Sequence, residues 1–170
     1  MSRLTEFYRG TGLDSEGRSL AEIQAYSDSG LESVHDFVQW LFPLREPSRF
    51  NPDAPLLTNA DVDEFQADPV LLANLLRSFE VFLAFLGLRR EAGRVVEALD
   101  FSSKSEVWRY PNHNWLRITR VLTSTRLLGL GEESRAFFDF LKELRDAGRS
   151  GITSDTFGYW EHAAAGDGGS

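Results

Sequence analysis

Between Asp68 and Gly87 the chain carries one wide apolar arc, with Leu71, Leu72, Leu75, Leu76, Phe79, Phe82, Leu83 and Leu86 recurring at steps of three and four residues. Asp68 is placed to cap a helix, Pro69 suits its first position, and Gly87 closes it. The pattern predicts a helix over 69–86. A helix this apolar must be wrapped by other elements, so the remainder of the chain is expected to pack around it.

The flanking segments supply further helices. A short one is expected around Arg3 to Arg9, and Ser19 caps another over Leu20 to Tyr26. Leu31, Val34, Phe37, Val38, Leu41 and Phe42 recur at helical spacing, which predicts a continuous helix from Gly30 to Phe42 ended by Pro43. Pro43, Pro47, Pro52 and Pro55 forbid a regular element from there to Thr58, so an ordered loop laid over the helices is expected. Thr58 with Asp61 opens a helix to about Ala67. Arg89 to Leu99 has a helical pattern weakened by Gly93, and Asp100 to Pro111 reads as irregular or short helical structure. Asn112 caps a helix from His113 to Leu128 stopped by Gly129, another runs from Glu132 to Ala147, and Thr153 or Ser154 begins a last one through His162. No strand with clear alternation is visible. The expectation is an all-α, single-domain bundle of about six to eight helices with a proline-rich ordered loop, over residues 1–162, and a flexible tail over 163–170.

Composition excludes several functions. A net charge of -8 argues against general nucleic-acid binding and against attraction to an anionic membrane surface. The absence of Cys removes disulfides, thiolate nucleophiles and Cys-based metal sites. Val70 to Leu88, interrupted by Asn74, Arg77, Ser78 and Glu80, is too polar for a transmembrane segment, and Met1 to Gly10 lacks the apolar run of a secretory signal. A cytoplasmic protein is the expectation. No glycine-rich phosphate loop follows a predicted strand, no Ser or Cys triad of ordinary form is indicated, and nothing in the pattern calls for a cofactor.

Two polar helix faces carry the chemistry. On the helix expected over 30–42, Glu32, His35, Asp36 and Gln39 lie opposite the apolar arc, and Trp40 stands apart from it, packing on another element or lining a binding surface. On the helix from His113, the residues His113, Arg117, Arg120 and Ser124 form one narrow stripe, bordered by Ile118, Val121 and Leu122 on one side and Leu116 and Leu127 on the other. A cationic stripe with apolar borders is partly covered by protein, and covered guanidinium groups need acceptors. Three readings stay open. In the first, Glu32 and Asp36 pair with Arg117 and Arg120 in a structural seam between two helices. In the second, the seam opens into a cleft where Arg117 and Arg120 hold a small anionic group or a peptide terminus, with His35 and His113 supplying protonation control. In the third, the Glu-x-x-His step of Glu32 and His35, joined by His113, binds a metal or performs acid–base chemistry.

The stretches Leu31-Glu32-Ser33-Val34-His35-Asp36-Phe37-Val38-Gln39-Trp40-Leu41-Phe42-Pro43 and Asn112-His113-Asn114-Trp115-Leu116-Arg117-Ile118-Thr119-Arg120-Val121-Leu122 resemble the opioid growth factor receptor conserved-region family. Ser48 to Thr58 and Phe85-Leu86-Gly87-Leu88 fit the same pattern, so the resemblance covers about Thr5 to Leu144. The resemblance implies a receptor-like, peptide-binding domain. Animal members are described as binding an opioid pentapeptide, associating with nuclear-envelope membranes and restraining proliferation; in size this chain resembles the stand-alone bacterial members. Mapped onto these two motifs, the candidate ligand-binding residues are Glu32, His35, Asp36, Gln39, Trp40, His113, Asn114, Arg117 and Arg120.

Overall fold

A computed structural model describes residues 2–166 of the chain. Its helices are α1 (Arg3–Arg9), α2 (Leu20–Gln24), α3 (Asp28–Ser33), α4 (Val38–Leu41), α5 (Asn59–Ala67), α6 (Pro69–Phe85), α7 (Ser105–Arg109), α8 (His113–Leu127), α9 (Gly131–Asp146) and α10 (Ser154–Ala165). A hairpin of β1 (Leu88–Glu91) and β2 (Arg94–Glu97) follows α6, and a 3-10 turn at Phe101–Lys104 precedes α7. The described residues are therefore mainly helical, with ten helices instead of six to eight and one small antiparallel sheet added.

Side-chain caps start most of these helices. Ser2, Ser19, Ser27, Thr58, Asp68, Asn112 and Thr153 each accept a hydrogen bond from a first-turn backbone N–H, a contribution of about 1 kcal/mol per cap. Helix α6 is central: Leu71, Leu75, Phe79 and Leu83 are fully buried. Helices α1 and α5 pack on it, while α8, α9 and α10 pack on one another and meet it through α8 and through the Phe137 ring of α9 against Phe79. The Trp160 indole of α10 donates to the Trp115 carbonyl of α8 at 3.1 Å, and the two rings meet edge to face.

Three expectations are corrected. The helix expected over 30–42 is broken: α3 ends at Ser33, Val34 is extended (φ -93°, ψ 127°), and α4 starts only at Val38. Burial explains the break. Phe37, Val38, Gln39, Trp40, Leu41 and Phe42 are consecutive and all buried, and no single helix lying on a core can bury six residues in a row. The expected helix over 89–99 is the hairpin. Ala92 (φ 50°) and Gly93 (φ 78°) form its two-residue turn, whose positive φ values match strand twist, and Leu88 and Val95 bury one face. The last helix, expected to end at His162, runs on to Ala165. Ala163 is buried and its carbonyl accepts from the Arg126 Nε at 2.8 Å; residues 167–170 lie outside the described residues.

Candidate functional site

The break between α3 and α4 leaves main-chain carbonyls that no helix satisfies, and α8 crosses at that point. Arg117, only 6% exposed, donates from Nη1 to the Leu31 carbonyl at 2.6 Å and from Nη2 to the Val34 carbonyl at 2.9 Å. Its Nη2 also lies 3.4 Å from the His35 Nδ1, and its guanidinium covers the Phe37 ring at 5.5 Å. One turn on, the Arg120 Nη1 donates to the Phe42 carbonyl at 3.0 Å, beyond the end of α4. Cations at the C-terminal ends of short helices complement the partial negative charge there.

These acceptors differ from the expected ones. Glu32 pairs with His113 (Oε1 to Nε2, 3.0 Å) and accepts from the Asn114 Nδ2 at 3.1 Å, while Asp36 pairs with Arg18 at 2.8 Å. Among the described residues neither Arg117 nor Arg120 forms an ion pair with a carboxylate. The carboxylate seam is thus replaced by a carbonyl seam. Burial lowers the Arg117 guanidinium from its usual value, with Glu32 acting the other way, and pushes Arg120 down to about 10, opposed by Glu46. Both remain charged at neutral pH.

A solvent-connected cleft of about 440 Å³ opens between α8 and the proline-rich segment. Leu44, Pro47, Phe50, Val38 and Leu116 provide its apolar walls, and Phe50 and Leu116 are 76% and 62% exposed at its rim. His35, His113, Arg117 and Arg120 provide its polar side, with Arg49 on the loop. Arg120 is partly buried, donates from Nη1 to the Phe42 carbonyl and lines the cleft wall. The volume falls within the range of small-ligand sites.

The sequence pattern of the opioid growth factor receptor (OGFr) conserved region matches residues 15–165 of the chain. This chain belongs to that family. The opioid growth factor receptor of Homo sapiens is 40% identical over 103 residues, which span 59% of this chain and 15% of the human protein. The opioid growth factor receptor-like protein 1 of Rattus norvegicus is 35% identical over 101 residues, spanning 58% of this chain and 22% of the rat protein. The chain thus corresponds to less than a quarter of these curated relatives' length. No solved structure matches it.

Within this conserved region the two motifs meet, though not every expected residue reaches the cleft. His35, Gln39, His113, Arg117 and Arg120 line it. Gln39 is held by Asn51, whose Nδ2 lies 3.5 Å from its Oε1. Glu32 and Asn114 face a neighbouring groove and act on the cleft through His113 and Arg117. Asp36 is turned away onto Arg18. Trp40 lies in the core away from the cleft: it is 1% exposed, meets the Phe7 ring edge to face at 5.2 Å and carries the Arg3 guanidinium over its ring. The alternative metal set of Glu32, His35 and His113 is not assembled. The end of α3 at Ser33 breaks the Glu-x-x-His spacing, the His35 Nδ1 faces a guanidinium, and among the described residues no group of three or more His, Cys, Asp or Glu is placed to hold an ion. The loop wall at Leu44, Pro47, Ser48, Arg49 and Phe50 was not expected; the exposed aromatic among prolines was its only signal in the sequence.

The His113 imidazole gives a pH prediction. Partial burial lowers its proton affinity from the usual 6.5, Arg117 and His35 lower it further, and Glu32 opposes them. A histidine depressed on folding takes up its proton more readily when unfolded, so stability is full above about pH 6.5 and declines as the pH falls below it. Urea midpoints at pH 7.5 and 5.0 are expected to differ more for the wild type than for His113→Gln; equal differences would contradict this assignment.

Proposed function

We propose that this conserved region is a receptor-like ligand-binding domain whose cleft takes the anionic group of a peptide or small molecule. The observation that carries the reading is Arg120, a partly buried guanidinium on the wall of an apolar-lined cleft that, among the described residues, forms no direct ion pair with a carboxylate, Glu46 acting on it only from a distance. The family's name, opioid growth factor receptor, supports a receptor role without identifying the ligand here. In this reading the two arginines divide the work. Arg117, spent on carbonyls, fixes the floor, and Arg120 meets the carboxylate in a forked geometry. Leu116 and Phe50 cover the apolar body next to it.

Isothermal titration tests this with N-acetyl-phenylalanine and the tripeptide Ala-Ala-Phe, each as free acid and as C-terminal amide. The acids are expected to bind more tightly than the amides, and Arg120→Leu to weaken the acids by about 10- to 100-fold, the range for a hydrogen bond between charged groups. Tighter binding of the tripeptide acid marks a peptide as the occupant. Equal affinity of acid and amide would contradict the reading.

A further inference from the structure

Two imidazoles meet on the polar wall of the cleft. The rings of His35 and His113 pack edge to face with centroids 5.2 Å apart, and both line the space beside Arg120. The His35 Nδ1 lies 3.4 Å from the Arg117 Nη2, and because a guanidinium can only donate, this nitrogen is the acceptor and the proton of a neutral His35 sits on Nε2. His113 turns its Nε2 to Glu32 at 3.0 Å, and its side chain is 42% exposed. Of the two expected protonation-control residues, neither is consumed by a purely structural contact.

The charges around the pair are unbalanced. From α8 come Arg117 and Arg120, and from the loop Arg49; from α3 comes Glu32, the carboxylate that touches the pair. Asp36, on the same linker as His35, is turned onto Arg18, which it shares with Asp14, and Glu46 acts on Arg120. A proton on His113 is therefore opposed by partial burial, by Arg117 and by the neighbouring ring, with Glu32 acting the other way. An anion seated on Arg120 adds the missing negative charge on the same wall.

We infer that occupancy of the cleft by an anion draws a proton onto the His35–His113 pair, so that binding tightens as the pH falls through the histidine range. This inference rests on the anion-binding reading above and gives it a regulator. When His35 is the ring that takes the proton, it turns from acceptor to donor and releases the Arg117 Nη2, which keeps its bond to the Val34 carbonyl. When His113 takes it, the contact with Glu32 becomes a charged pair. In either case the cleft gains one positive charge in the bound state, and the linkage is reciprocal: acidification favours ligand, and ligand favours the proton.

The experiment is isothermal titration of the whole chain with the tighter of the two acid probes, N-acetyl-phenylalanine or Ala-Ala-Phe, in buffers of differing ionisation enthalpy at pH 6.5. Uptake of up to about one proton per ligand is expected, with affinity about tenfold higher at pH 5.5 than at pH 7.5. The double variant His35→Gln, His113→Gln is expected to bind with no buffer dependence. Binding by the wild type with no buffer dependence, or with proton release, overturns the inference and leaves the anion reading standing. Absence of binding by both acids overturns the anion reading and the inference with it.

Discussion

Replacement of Arg117 by Ala is expected to lower the unfolding free energy by about 3–5 kcal/mol, a large share of the stability of an ordinary domain. The side chain is buried, and its two Nη atoms hold the Leu31 and Val34 carbonyls, which no other described group reaches. Removing it strands one buried and one part-buried acceptor and opens a void beside Phe37. Arg117→Lys is expected to recover little, because one ammonium cannot span two carbonyls that a planar fork bridges. Urea denaturation followed by circular dichroism measures both changes. A loss below about 1 kcal/mol for Arg117→Ala would mean that water satisfies these carbonyls and that the break between α3 and α4 stands without it.

Gly151→Ala is expected to destabilise by at least about 3 kcal/mol, for a different reason. The linker between α9 and α10 crosses the end of α7 so closely that the Gly151 N–H donates to the Trp108 carbonyl at 2.7 Å. A Cβ at this position would lie 1.7 Å from the Arg109 carbonyl oxygen. Both sides of that contact are backbone, so relief requires the chains to separate and the hydrogen bond to break. Trp108 would then lose its seat against Phe101 and Phe140, and near-ultraviolet circular dichroism reports that change. Gly158→Ala is the control. It lies in α10 with open space around its Cα, and replacement there is expected to stabilise by up to about 1 kcal/mol through helix propensity alone. Wild-type stability in Gly151→Ala would contradict the close crossing.

Much of the architecture was legible because local signals and tertiary demands agree. At α6, Asp68, Pro69, the Leu and Phe arc and Gly87 mark cap, start, core face and stop, and the helix occupies Pro69–Phe85. At α8, Asn112 caps as expected, and the stripe of His113, Arg117 and Arg120 reaches the other motif. The misreadings arise where tertiary packing overrides periodicity. Residues 31–42 carry a helical repeat, yet burying Phe37 through Phe42 together requires the chain to kink, and the carbonyls freed by the kink find their partners on α8, far along the sequence. Hence the arginines and the break that they stabilise were visible separately while their connection was not. The hairpin was hidden because Arg89, Arg90, Glu91 and Arg94 mask the alternation of a four-residue strand, leaving Leu88 and Val95 as its apolar face. The loop wall at Phe50 has no periodicity to read, since a proline-rich segment takes its position from the surface beneath it.

The division of labour between the two arginines is open to direct observation. Arginine Nε–H resonances, recorded by heteronuclear NMR during titration with N-acetyl-phenylalanine, separate a guanidinium that meets ligand from one that holds the fold. The account predicts a saturable shift at Arg120, with Arg117 little changed and the C-terminal amide without effect at either. A shift no larger at Arg120 than at exposed arginines such as Arg135 and Arg149, or an equal response to the amide, would contradict it.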